Sequence, residues 1–123
     1  MEHLIGRSIE DPIVVAAAEA QGEPEMEEEG DRTHFLFPGG VLWSVNAAGI
    51  LTSIFLREPA PLPQGLTFSM GRDQVRERLG EPTLWHPDWD RFDRPTHCVH
   101  VLYGKQGLDV VTLMPPQPAP RMV

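Results

Sequence analysis

Gly80-Glu81-Pro82 closes one helical stretch, and Gly22-Glu23-Pro24 closes another 58 positions earlier. Each is a stop signal. A glycine takes the left-handed conformation where the last turn unwinds, and a proline then prevents the helix from continuing. Upstream of the first stop, Asp11 is placed as N-cap and Pro12 as the first helical residue, a position that needs no N–H. Ile13, Ala16, Ala17 and Ala20 then share a face. Upstream of the second stop, Ser69 is placed as the cap, and Val75 and Leu79 lie four apart on one face.

Strand-like runs follow each helix. His34–Phe37 is short and aromatic, and Val41–Asn46 alternates, with Val41, Trp43 and Val45 on one face. Ala47-Ala48-Gly49 turns the chain into the apolar run Ile50–Leu56. In the second half, His97–Tyr103 alternates Val99, Val101 and Tyr103, Gly104–Gly107 is a hairpin loop, and Leu108–Met114 returns. At the same offset of 58, Val41 falls on Val99 and Gly49 on Gly107. The shared order of landmarks supports an internal repeat. The expected fold is therefore α+β, with two tandem α-then-antiparallel-β-hairpin halves forming a joined sheet and the helices packed on one face. The halves are residues 1–58 and 64–114. A Pro-rich connector, 59–63, separates them, and a Pro-rich flexible tail, 115–123, follows.

Composition limits the function. Of 123 residues, 10 are Lys or Arg and 18 are Asp or Glu, a net charge of −8. Such a surface repels phosphate backbones and anionic lipids, so neither nucleic acid nor membrane is expected as a partner. Cys98 is the single cysteine, which excludes an internal disulfide and any multi-cysteine zinc site. A Cys98–His97 nucleophile is disfavoured because neighbours on a strand diverge, so a buried, inert thiol is expected. His97 and His100, three apart on a strand, also point to opposite faces, and with His86 they form no converging ligand set. No metal, no cofactor and no catalytic residue is expected. Nothing at the amino terminus reads as a secretory leader, and a cytoplasmic location is expected.

Two connectors between helix and hairpin are the candidate functional segments. The first carries Glu23, Glu25, Glu27, Glu28, Glu29 and Asp31. It reads either as a solvated loop or as a docking surface for a basic partner, since clustered charge speeds association and selects partners. The second carries Trp85, His86, Asp88, Trp89, Asp90 and Phe92. Its aromatics either fold back onto the sheet or form a recognition loop with Trp anchors.

Several motifs together resemble a known type of protein. They are Leu4-Ile5-Gly6-Arg7-Ser8 ahead of a helix, Leu62-Pro63, Arg72-Asp73-Gln74-Val75, Leu79-Gly80-Glu81-Pro82, and a final hairpin carrying Val111-Thr112-Leu113. The chain resembles small bacterial immunity proteins of the colicin, pyocin or polymorphic-toxin type. Its layout is also similar to the β-lactamase inhibitory protein and to the small lipoprotein of the outer-membrane barrel-assembly machinery. It departs from those relatives in lacking a lipobox and paired cysteines. The resemblance implies a non-enzymatic inhibitor that occludes the active site of a basic cognate toxin. A structural or assembly module, and a small ligand-binding domain or enzyme, stand as alternatives. Oligomeric state is left open.

Overall fold

The computed structural model describes residues 1–117. After a short 3-10 turn at Glu2–Leu4, the chain forms α1 (Pro12–Gln21), β1 (Glu25–Glu29), β2 (Arg32–Phe37), β3 (Val41–Val45) and β4 (Leu51–Leu56). It continues with α2 (Arg72–Leu79), β5 (Leu84–His86), β6 (Trp89–Asp93), β7 (Cys98–Gly104) and β8 (Gly107–Met114). Among the described residues, the eight strands form one antiparallel sheet in the order β1-β2-β3-β4-β8-β7-β6-β5. Each helix thus precedes a four-stranded meander, not a hairpin, and the last strand of each meander lies at the centre. The seam is β4 against β8, with Ile54 opposite Leu113 and Leu56 opposite Val111.

The helix boundaries follow local chemistry. The backbone N–H of Ile13 donates to Asp11 Oδ1 at 2.9 Å, which caps α1 as expected. Gly22 and Gly80 end the two helices with φ of 93° and 92°, a conformation costly for any residue with a Cβ. The cap of α2 is Gly71, not Ser69, and its N–H donates to Gln74 Oε1 at 2.9 Å. Ser69 instead shares a hydrogen bond with Thr67.

The core lies on one face of the sheet. Val41, Trp43, Ile54, Leu56, Val99, Val101, Val111 and Leu113 face Val14 of α1 and Val75 and Leu79 of α2 in a single cluster. The inward face of α1 is one residue removed from the expected one. Val14, Ala17 and Ala18 turn inward, and Ile13 is 47% exposed. An i, i+3, i+4 row is preserved, set one residue further along the helix.

The acidic and aromatic connectors are strands, not loops. Glu25–Glu29 is β1, an edge strand whose five side chains are all exposed. An edge has one solvated side, and charge there is compatible with pairing on the other. The aromatic stretch is the hairpin β5–β6, turning at Pro87-Asp88 between the paired His86 and Trp89. On β6 the period-two alternation sends Asp90 and Phe92 inward beneath α2, and both are fully buried. Neither can meet a partner, which corrects their assignment to a recognition surface.

Asp90 fastens α2 to the sheet. Arg76 donates to its carboxylate through Nε and Nη2 at 2.9 and 2.7 Å, and the Tyr103 hydroxyl donates at 2.8 Å. Arg72 Nε lies 3.5 Å away, and its guanidinium sits 4.7 Å over the Tyr103 ring. At the other end of α2, Arg94 Nη2 donates to the Leu79 carbonyl at 2.9 Å. Burial alone would raise the Asp90 pKa. The hydrogen bonds from Arg76 and Tyr103 and the Arg72 charge outweigh it and hold the carboxyl below its ordinary range. Burial pushes the imidazoles of His97 and His100 the same way, downward.

All three groups bind more protons in the unfolded chain, so acid favours unfolding. Urea midpoints should be flat between the ordinary histidine value of 6.5 and the ordinary cysteine value of 9.0, and decline as pH falls below 6.5. A second decline should begin below the ordinary aspartate value of 3.8. The double variant His97→Gln/His100→Gln should flatten the upper step alone. A midpoint that rises on acidification would contradict this account.

Candidate partner-binding face

The strand registers define a second sheet face that carries no helix. Glu25, Glu27 and Glu29 stand on it at the β1 edge, followed by His34 and Leu36 of β2 and Leu42 and Ser44 of β3. Phe55 of β4 and Thr112 of β8 continue the face. His100 and Leu102 of β7 lead to Trp89, Arg91 and Asp93 of β6, and Leu84 and His86 of β5 complete it. None of these side chains joins the core cluster that contains the helices.

Outward positions of a half-solvated sheet are ordinarily polar. Here Leu36, Leu42, Phe55, Leu102 and Trp89 occupy them, all half-buried. Apart from Trp89, these positions lie outside the two connectors that concentrate the sequence's carboxylates and tryptophans. The available signal was Leu42 on β3 and Phe55 on β4, each apolar at an outward position.

The two ends of the face differ in chemistry. At the β1 end, a groove of about 520 Å³ runs over β1–β4, bordered by Glu27, Glu29, His34, Leu36, Leu42 and Phe55. Glu29 Oε2 lies 3.4 Å from His34 Nε2. Across from Glu29, Arg32 reaches inward to donate to Ser44 Oγ at 3.2 Å and Thr52 Oγ1 at 3.0 Å. At the other end, Trp89 lies between two imidazoles. His86 stacks on it at 5.4 Å with planes 9° apart, and His100 tilts against it at 4.9 Å. Arg91 and Asp93 form a two-pronged ion pair beside this stack, at 2.9 and 3.2 Å.

The expected site residues therefore separate into three groups. Glu25, Glu27, Glu29, His86 and Trp89 share the helix-free face. Glu28 sits on the opposite face of β1, Trp85 is 64% exposed on the opposite face of β5, and Glu23, Asp31 and Asp88 are exposed beyond the strand ends. Asp90 and Phe92 are core. The acidic and aromatic segments lie near opposite edges. β1 and β6 are six steps apart in the sheet, about 29 Å at the usual strand spacing.

Cys98 is buried, and burial raises its pKa, so the thiol is protonated and shielded. Among the described residues, no group of three or more His, Cys, Asp or Glu side chains is placed to hold a metal ion. No helix among them is long and apolar enough to cross a membrane. No protein-family model, curated protein or solved structure matches the chain.

Proposed function

We propose that this protein acts by binding, and that it docks a basic protein partner across the helix-free sheet face. The observation that carries this reading is the set of apolar side chains on that face, Leu36, Leu42 and Phe55 in register on β2–β4 and Leu102 and Trp89 two positions along on β7 and β6, flanked by the carboxylates of β1. Apolar side chains at solvated sheet positions mark interaction surfaces. A partner patch of about 800 Å² is roughly 30 Å across, enough to reach from β1 to β6. The net charge of −8 favours a basic partner and raises its encounter rate.

The particular role proposed is that of an immunity protein. Laid over the basic cleft of a toxin that acts on nucleic acid, an acidic sheet edge takes the place of phosphates and blocks substrate entry. We also read the chain as a tandem duplication. Both stop-signal glycines have nearly the same φ, and each is followed by a meander of four strands.

The test requires that a large secreted protein be encoded beside this one; its carboxy-terminal domain is immobilised for binding kinetics. Trp89→Ala should mainly speed dissociation and cost about 2 kcal/mol or more as an anchor. Glu25→Gln/Glu27→Gln/Glu29→Gln should mainly slow association and reduce its salt dependence, since such charges act at long range. Absence of a complex, or parental kinetics in both variants, would refute the proposal.

A further inference from the structure

We infer that the groove over β1–β4 is a seat for one arginine side chain of the partner. The inference rests on the binding role proposed above and specifies which chemistry the acidic end of the face selects.

The groove has the two surfaces an arginine needs. Its floor is apolar and aromatic, made by Leu36, Leu42 and Phe55 on three neighbouring strands. The methylene stem of a long cationic side chain packs on such a surface while its head stays polar. Its rim on β1 carries Glu27 and Glu29. Residues two apart on a strand stand about 6.6 Å from one another on the same face, so both carboxylates reach one planar cation between them. His34 lies 3.4 Å from Glu29 and leans that carboxylate over the groove.

The opposite end is bordered by Arg57. Its positive charge repels a second cation there, while Arg32, across from Glu29, is turned to Ser44 and Thr52, so the partner's charge lies toward β1 and its backbone toward β4. Arginine suits this geometry better than lysine. A guanidinium is planar, less strongly hydrated, stacks on an aromatic ring such as Phe55, and offers paired donors to carboxylates.

Three probes test the seat against the full ¹⁵N-labelled chain: acetyl-Gly-Arg-Gly-amide, the matching lysine peptide, and the uncharged citrulline isostere. The arginine peptide should shift the amides of Leu36, Leu42 and Phe55 saturably. The lysine peptide should bind more weakly, and citrulline should produce no saturable shift. Glu27→Gln/Glu29→Gln, at two exposed positions, should weaken the arginine peptide about fivefold or more. The seat is refuted if the arginine peptide gives no saturable shift, if citrulline binds equally, or if the double variant binds as the parent does.

The two proposals fail separately. Partner binding lost in Trp89→Ala and kept in Glu27→Gln/Glu29→Gln removes the arginine seat and leaves the binding role. Saturable seating of the arginine peptide without any partner complex does the reverse.

Discussion

Asp90→Ala should destabilise the fold by about 3 kcal/mol or more, the range seen when one member of a buried ion pair is removed. Asp90 is fully buried and accepts from Arg76 twice and from Tyr103 once. Its removal leaves the Tyr103 hydroxyl without its partner and Arg72 and Arg76 without their counter-charge. Arg76 retains some exposure, 32%, so part of its charge can be rehydrated, and this keeps the cost from being larger. Asp90→Asn keeps an acceptor for Tyr103 and should lose less. Urea unfolding of both variants, with Arg76→Ala in a double-mutant cycle, measures the coupling. A cost under about 1 kcal/mol for Asp90→Ala would mean that α2 is held mainly by Val75 and Leu79.

Gly40→Ala should cost about 3 kcal/mol, whereas the same change at Gly39 should cost about 1 kcal/mol. Both glycines have positive φ, 86° at Gly39 and 85° at Gly40. They differ in their surroundings. A Cβ on Gly39 meets nothing within 4 Å, but one on Gly40 would run into the backbone carbonyl of Arg57. That approach is close because Arg57 N–H donates to the Gly40 carbonyl at 2.8 Å, which ties the start of β3 to the exit of β4. A backbone atom cannot swing aside as a flexible side chain can. Thermal or urea unfolding of the pair separates backbone strain, common to both, from steric conflict at Gly40 alone. Equal losses would show that strain is the whole effect.

Much of the fold was legible because its signals are local. Asp11-Pro12 and the two Gly-Glu-Pro stops act through the chain's own backbone, and alternation at Val41, Trp43 and Val45 needs only the strand period. What was not legible depended on neighbours. Five residues reading Glu-Met-Glu-Glu-Glu contain no strand signal by themselves. They form β1 because β2 offers a pairing edge and the opposite side stays in water. Asp90 disguised the alternation of β6, since an inward carboxylate makes sense only once Arg72, Arg76 and Tyr103 are placed around it. The candidate face was hidden for the same reason. No single strand reveals that Leu36, Leu42 and Phe55 line up across three strands.

The central position of β8 also bears on assembly during synthesis. β4 leaves the ribosome long before residues 107–114, so during synthesis its hydrogen-bonding edge waits without a partner. Half a sheet with an open apolar seam is a template for wrong pairing between nascent chains. The outer edge of that same half-sheet is β1, whose carboxylates repel another copy of themselves. Misassembly therefore has one open flank, along Leu51–Leu56, and it closes only when the final hairpin folds in.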